Sequence, residues 1–379
     1  MSDSTAAQRP QEPDWATITA EELVAYREAE NRFRASSAAR PFLGEPDPGA
    51  TVQWETVALP GRELPVRVYR PAPEHDDGSA GRTGLPLVLH VHGGGFVGTA
   101  AQCDWVTSHV AARLPAVVVS VEHRLVDQDH PLADAVDDGW DVLTHVLSEA
   151  GRWGVDPART AVFGESCGAL ICALTAIRAR RADVGLRAQV LVNPAVDVTG
   201  TMFAYPSITE HAHTPTLTLP VLRLFQRLAV PEGTDPRALS PLYADDLGGL
   251  PPALVVVPTH DPLADHGRRY AEGLRAAGTS VRLTEHPEAP HAFLSLPGVV
   301  PQAEPARAEI LDFLRAPDED RMLPAAPVCV PAVTTKSAGW TPSTRMLSIT
   351  TAAVPMLASV SRFTGYVDLS KKGCRVVLV

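Results

Sequence analysis

The stretch Val162-Phe163-Gly164-Glu165-Ser166-Cys167-Gly168-Ala169-Leu170 predicts a short apolar strand that turns sharply into an apolar helix, with a serine at the turn. Glycines two residues before and two residues after the serine permit the close backbone approach that such a turn requires. The helix that follows would direct its first amide N–H groups at the serine, which suits a site that holds a negatively charged oxygen. Because glycine and serine are common, the pattern alone also matches ordinary turns, and the rest of the chain has to decide between them.

A regular alternation of strands and helices surrounds this turn. Helical periodicity separates six predicted apolar strands, at Leu85–Val91, Ala116–Val121, Thr160–Phe163, Ala188–Val192, Ala253–Val257 and Ser280–Glu285. A predicted hairpin at 51–69 adds an antiparallel edge. This order is typical of an α/β fold with a mostly parallel central sheet, in which ligands bind at the carboxyl ends of the strands.

Three segments fall outside the alternation. Residues 1–48 carry a helix that a capping box of Thr19 and Glu22 opens, followed by a Pro/Gly-rich linker at 41–49. An insertion at about 198–236 holds one predicted helix, Leu219–Leu228. Residues 317–379 are rich in Ser, Thr, Pro and Ala, and fit a disordered tail, a small added element or translated sequence never selected to fold. We therefore divide the chain into 1–48, a main domain at 49–316 and a C-terminal tail at 317–379.

Composition narrows the class of protein. The 379 residues include 33 Lys and Arg against 44 Asp and Glu, and the net charge of −11 argues against a nucleic-acid partner or an anionic membrane surface. A membrane span needs about 18 or more consecutive apolar residues, and no such run occurs. The polar start at 1–5 does not resemble a signal peptide. The 5 cysteines lack Cys-x-x-Cys spacing, which argues against a disulfide framework and a zinc site. We expect a cytoplasmic protein.

Three residues with the functional groups for acyl transfer follow predicted strands in the order Ser166, Asp261 and His291. Such chemistry needs a nucleophile, a carboxylate that orients the base, and the base itself, and these residues supply them in that order. Because each follows a strand of a parallel sheet, we expect the three side chains to lie at one edge of the sheet.

An acyl-transfer site also needs amide donors for the oxyanion. The stretch His92-Gly93-Gly94-Gly95 follows another predicted strand, and its glycines allow the backbone to approach a ligand closely. We predict an oxyanion hole formed by the amides of Gly94, Gly95 and Cys167. His92 and Gly93 are expected to support this loop, as Gly164 and Gly168 support the serine turn.

Several polar residues are alternatives to this assignment. Asp265 is a rival carboxylate, but it lies four residues further on and is predicted inside the next helix. His260, His211 and His213 could suggest a metal, yet they lack acidic or cysteine ligands at suitable spacing. Cys167 is either an inert small residue, which we favour, or a thiol accessible from the substrate pocket.

Four motifs together resemble the hormone-sensitive lipase family of α/β-hydrolases: His92–Phe96, Gly164–Gly168, the run from Ser240-Pro241-Leu242 to Asp261-Pro262-Leu263, and Pro290–Phe293. The resemblance covers about residues 50–316 and implies an α/β-hydrolase fold, with 1–48 and the insertion forming a cap over an acyl pocket. Two departures bear on substrate range. The family's Tyr-Arg-Leu-Ala-Pro-Glu stretch appears here as His123–Gln128, and the Asp and Ala that usually flank the serine are Glu165 and Cys167.

The resemblance implies a serine hydrolase that cleaves carboxylic esters through an acyl-enzyme. The expected partner is a small-molecule ester substrate with a short acyl chain or a small alcohol. The reaction is expected to need no metal and no organic cofactor. Whether the protein forms a homodimer is left open. One alternative is a biosynthetic lactonase, deacetylase or acyltransferase acting on a natural product. Another is a small-molecule receptor that kept the fold and lost catalysis, and the intact set of Ser166, Asp261 and His291 weighs against it.

Overall fold

The computed structural model describes residues 8–73 and 84–316. Its strands are β1 Ala50–Leu59, β2 Arg62–Pro71, β3 Leu85–Val91, β4 Val117–Val121, β5 Val155–Glu165, β6 Ala188–Val192, β7 His213–Thr214, β8 Leu217–Thr218, β9 Ala253–His260 and β10 Val281–Pro290. Its helices are α1 Ala20–Arg34, α2 Arg40–Leu43, α3 Asp104–Arg113, α4 Leu132–Ser148, α5 Ala150–Trp153, α6 Cys167–Arg181, α7 Pro206–Glu210, α8 Leu219–Ala229, α9 Ala264–Ala276 and α10 Ala303–Arg315. The predicted tail at 317–379 lies outside the described residues.

Eight strands form one sheet in the order β1-β2-β4-β3-β5-β6-β9-β10. The β1–β2 hairpin and the β2–β4 pair are antiparallel, and every other neighbouring pair is parallel. The mostly parallel sheet and its antiparallel edge agree with the prediction. Since the parallel strands run in one direction, the residues that follow β3, β5, β9 and β10 come together at one edge.

Side chains alternate between the two faces of the sheet and build a core on each. Leu87, Leu89 and Val91 of β3 belong to the core beneath α4, α6 and α9. Val88 belongs to the opposite core, which contains apolar residues of α3 and α10 such as Val110 and Phe313. Each layer of helices therefore buries one face of the sheet. The continuous apolar strands predicted this burial on both faces.

Most predicted elements are found, and the differences have local causes. The bounds of β3 and β6 match the prediction, and Thr19 accepts the Glu22 amide at 3.2 Å in the predicted capping box. The segment at 41–49 was predicted as linker, but Pro41 sits in the first turn of the short helix α2, a position that proline favours. Strand β10 continues past Glu285 because Pro290 still pairs with His260 across an irregular register.

The insertion has its own apolar cluster, formed mainly by Met202, Tyr205, Ile208, Leu217 and Leu222. It contains α7, the small β7–β8 ladder and α8. Across the described ranges, none of the helices combines the length and apolar character needed to cross a bilayer.

The β5–α6 turn brings backbone against backbone. A Cβ atom on Gly164 would lie 2.5 Å from the carbonyl carbon of Gly168. A Cβ atom on Gly168 would lie 2.6 Å from the carbonyl carbon of Val91 in β3 and closer still to its oxygen. These neighbours are main-chain atoms of a central strand, so they cannot move aside as a flexible side chain would.

We expect Gly168→Ala to lower the free energy of unfolding by about 3 kcal/mol or more, because the added methyl group has to displace β3. Gly185→Ala is the matched control, since a Cβ atom there meets nothing within 4 Å. The control should change stability by no more than about 1 kcal/mol. Urea unfolding of the two variants measures both effects, and equal stability would contradict this account of the turn.

Candidate active site

Ser166 occupies the junction between the last residue of β5 and the first residue of α6. Its backbone has φ 54° and ψ −116°, a conformation that costs an L-residue about 1–3 kcal/mol. Neighbouring chain holds it there: the Ser166 amide donates to Val192 O of β6 at 2.9 Å, and its carbonyl accepts the Ala195 amide at 3.3 Å. The strained turn lifts the side chain out of the strand and over the end of the sheet.

His291 and Asp261 follow β10 and β9, and the structure brings both to Ser166. His291 Nε2 lies 2.8 Å from Ser166 Oγ, and His291 Nδ1 lies 2.8 Å from Asp261 Oδ2. Asp261 is fully buried and His291 is 5 % exposed. The three predicted residues therefore form one continuous hydrogen-bonded chain.

The carboxylate of Asp261 decides which nitrogen of His291 carries the proton. An ionised carboxylate only accepts hydrogen bonds, so Nδ1–H donates to it and Nε2 is left as the acceptor for the serine hydroxyl. Asp261 Oδ1 accepts the amide of Leu263 at 2.8 Å, which fixes the orientation of the carboxylate. The imidazole is thus held in the tautomer that can take a proton from Ser166.

The predicted oxyanion-loop residues lie beside Ser166. Gly94 has φ +88°, and a Cβ atom there would strike the carbonyl oxygen of Val97. A Cβ atom on Gly95 would overlap the ring of Phe225, with 2.8 Å to its Cδ2 atom. Cys167 begins α6, so its amide has no acceptor within the helix. Only glycine at positions 94 and 95 allows the loop backbone to lie this close to Val97 and Phe225.

His92 supports this loop from below. It is buried, its Nδ1 lies 2.9 Å from Gly93 O, and its ring stacks on His123 with 4.3 Å between centroids. Burial lowers the pKa of His92 to about 4, so the ring is neutral. It contacts the loop through packing and a hydrogen bond. That His92 supports the loop during catalysis stays a prediction.

Arg27 of α1 also holds the glycine loop, and sequence reasoning missed it. Its guanidinium donates to Phe96 O at 2.8 Å, to Val126 O at 2.9 Å and to Asp127 Oδ2 at 3.0 Å. The amide of Val126 in turn donates to Gly95 O at 2.7 Å. No local pattern could have indicated this role, because the acceptors lie 69 to 100 residues further along the chain.

The structure places the alternative site residues outside the hydrogen-bonded chain of Ser166, His291 and Asp261. Asp265 lies in α9, where it accepts the Ser207 amide at 3.0 Å and pairs with Arg268 at 3.1 Å. His211 and His260 have ring centroids 5.4 Å apart. Cys167 is 2 % exposed, and burial raises the pKa of its thiol to about 12, which favours the inert reading.

A cavity of about 590 Å³ opens above Ser166. Its lining residues come from the N-terminal segment, the glycine loop, the insertion and the His291 loop, and include Trp15, Tyr26, Phe33, Phe96, Met202, Leu217, Leu222, Phe225 and Leu296. The wall is mostly apolar, but besides Ser166 and His291 it includes charged residues of the N-terminal segment such as Arg9, Glu30 and Arg34. Cavities of this size with a mostly apolar lining and a few polar groups typically bind small organic molecules.

Comparison with known proteins places the chain in a class. A family model described as an alpha/beta hydrolase fold matches residues 88–295. An ester hydrolase from the metagenome of Lake Arreo superposes with a TM-score of 0.71 at 30% identity, covering 80% of this chain and 92% of that one. The chain belongs to the hormone-sensitive lipase family of α/β-hydrolases.

Curated relatives narrow the activity. The carboxylesterase NlhH of Mycobacterium tuberculosis is 39% identical over 280 residues, which cover 71% of this chain and 83% of the relative. The ethyl acetate hydrolase of Pseudomonas putida is 30% identical over 295 residues, which cover 76% of this chain and 89% of the relative. The protein is a carboxylester hydrolase.

His266 of α9 is a buried histidine near the site. Its ring meets Tyr205 edge-on with 5.2 Å between centroids, and neither nitrogen has a hydrogen-bond partner in the part of the chain that the structure describes. Burial, the largest effect, lowers the pKa of His266 to about 4. An unfolded histidine titrates near 6.5.

Between about pH 6.5 and 4 the unfolded chain binds a proton at His266 that the folded chain does not, so stability falls as the pH drops. We expect His266→Leu to reduce this slope by up to about 1.4 kcal/mol per pH unit. Urea unfolding at several pH values measures the slope, and His213→Leu, at an exposed histidine, should leave it unchanged. An unaltered slope in His266→Leu would show that folding does not shift the pKa of His266.

Proposed function

We propose that Ser166, His291 and Asp261 act as a catalytic triad and that the enzyme cleaves esters through an acyl-enzyme on Ser166. The observation that carries this proposal is the chain of two 2.8 Å hydrogen bonds from Ser166 Oγ through His291 to Asp261. The nucleophile, base and orienting carboxylate each have the partner that the reaction requires.

The first half of the reaction forms the acyl-enzyme. His291 Nε2 takes the hydroxyl proton as Ser166 Oγ attacks the ester carbonyl carbon, and the Asp261 carboxylate stabilises the resulting imidazolium. The negative charge on the carbonyl oxygen is met by the amides of Gly94, Gly95 and Cys167. As the tetrahedral intermediate collapses, Nε2 gives its proton to the alcohol oxygen, and the alcohol leaves.

The second half repeats these steps with water. His291 Nε2 takes a proton from the water as its oxygen attacks the acyl carbon, and the same amides hold the new oxyanion. Collapse of this intermediate breaks the bond to Ser166 Oγ, which recovers the proton from Nε2. The carboxylic acid leaves and the resting state is restored. The residues named supply every proton transfer.

The substrate is proposed to be an ester with a short acyl chain or a small alcohol, covered by a cap formed from the N-terminal segment and the insertion. Both segments contribute apolar lining to the cavity of about 590 Å³, through residues such as Trp15 and Phe33 on one side and Leu222 and Phe225 on the other. A curated relative at 30% identity hydrolyses ethyl acetate, as its name states, which supports a small ester.

Substitutions in the triad test the roles. Ser166→Ala and His291→Ala should each lower kcat by about 10⁴-fold or more, and Asp261→Asn by about 10⁴-fold because the amide favours the wrong imidazole tautomer. Asp265→Asn is the matched control, since that carboxylate bonds to Ser207 and Arg268 instead, and it should stay within about tenfold. A dead Asp265→Asn beside a near wild-type Asp261→Asn would reverse the carboxylate assignment.

The acyl-enzyme is tested by rapid mixing with p-nitrophenyl acetate. Release of nitrophenol should show an initial burst with an amplitude of about one per chain if deacylation is slower than acylation. Acid quenching during the burst should leave an acetyl group on the peptide that contains Ser166. Turnover with no acetylated peptide at any quench time, in wild type and in slow-turnover variants such as Asp261→Asn alike, would argue for direct attack by water.

A further inference from the structure

Three metal-ligand side chains meet beneath the serine turn, on the face of the sheet that α3 and α10 cover. His90 comes from β3, Cys103 directly precedes α3, and Glu165 ends β5. All are at most 2 % exposed, and one ligand atom of each lies within 4.8 Å of those of the other two. Among the described residues, this is the group in which three such ligands converge.

We propose that His90, Cys103 and Glu165 bind a divalent zinc-like cation that ties the serine turn to β3 and α3. Thiolate, imidazole and carboxylate are the ligand types that zinc takes in proteins. In a tetrahedral zinc site, bonds of about 2.3 Å to sulfur and 2.0–2.2 Å to oxygen place the two ligand atoms about 3.5–3.7 Å apart. Cys103 Sγ lies 3.6 Å from Glu165 Oε1.

The hydrogen bonding of His90 prepares it as a ligand. Its Nδ1 lies 2.7 Å from Ser120 Oγ, and its Nε2 is buried without a hydrogen-bond partner among the residues the structure describes. If Nδ1–H donates to the serine, Nε2 is left with a free lone pair that can bind a cation. Metal-binding histidines are oriented in this way, with the second nitrogen held by a hydrogen bond.

The hydrogen bonding of Glu165 and the net charge of the cluster also suit a divalent cation. Ser295 Oγ donates to Glu165 Oε2 at 3.0 Å and orients the carboxylate, whereas Oε1 accepts the Cys103 thiol at 3.6 Å. A cation would take the place of that thiol proton, which is released to solvent. A thiolate and a carboxylate together carry two negative charges, which a divalent cation neutralises. The bound site is therefore neutral, and burial does not leave an unpaired charge.

The cation would have a structural role and take no part in the proton transfers proposed above. Glu165 directly precedes Ser166, and Ser295 lies four residues after His291. A metal at Glu165 thus stabilises the turn that presents the nucleophile and, through Ser295, the loop that presents the base. Sequence spacing did not predict the site, because its ligands lie on three separate elements.

Metal analysis of the full chain without an affinity tag tests the proposal. After equilibration with zinc under a non-thiol reductant and dialysis, we expect about one zinc per chain by mass spectrometry of the metal. Cys103→Ala and His90→Phe should bind less than about a tenth of that. Cys172→Ala removes a buried cysteine outside the cluster and should bind as wild type does. Zinc retained by Cys103→Ala, or absent from folded wild type, would overturn the proposal.

Cobalt provides a readout that does not depend on how the variants fold. Wild-type protein loaded with cobalt should show a thiolate-to-cobalt charge-transfer band and the strong visible absorption of tetrahedral cobalt, because one ligand is Cys103. A chelator should remove both bands and lower the midpoint of thermal unfolding. Bound cobalt without a charge-transfer band would mean that no cysteine is a ligand, and the site as assigned would be wrong.

Discussion

The strained backbone of Ser166 is the constraint on which the rest of the structure depends. An L-residue stays at φ 54° and ψ −116° only where its surroundings hold it. The bond from its amide to Val192 O anchors the turn to β6. Gly164 and Gly168 admit the main chain of α6 and β3 on either side, at distances that no Cβ atom tolerates. The strand order β3-β5-β6 and the start of α6 therefore follow from the need to hold one serine in one conformation.

The parallel sheet then supplies the partners of that serine from distant parts of the chain. His291 lies 125 residues after Ser166, and Asp261 lies 30 residues before His291. Both follow strands that run in the direction of β5, so their side chains reach the same edge without long loops. The Asp261 carboxylate is buried. Within the part of the chain that the structure describes, it forms hydrogen bonds with the Leu263 amide and with His291. That enclosure strengthens their electrostatic interaction and fixes the imidazole in one tautomer.

The range of each interaction along the chain decides how much of the structure the sequence predicts. Periodicity and glycine spacing are local, so β3, β6 and the serine turn were predicted. Ser166, Asp261 and His291 were proposed as site residues because each follows a strand. Contacts between distant segments leave no local pattern. The roles of Arg27 and Ser295 could not be predicted for that reason, nor could the cluster of His90 with Cys103 and Glu165. The last residues of β10 were missed because two prolines, Pro287 and Pro290, interrupt the strand pattern and the register with β9 is irregular.

Arg27 makes the N-terminal segment part of the proposed oxyanion site. Its planar guanidinium reaches two carbonyls and one carboxylate at once, which the single ammonium of lysine cannot do with the same geometry. Moving α1 away from the sheet would break all three bonds, and hydrogen bonds to a charged group contribute about 1.5–3 kcal/mol each. The Gly95 peptide, held through Val126, would lose its support in the same step. The bonds of Arg27 therefore couple α1 to the glycine loop, so that α1 cannot move without disturbing the proposed oxyanion site.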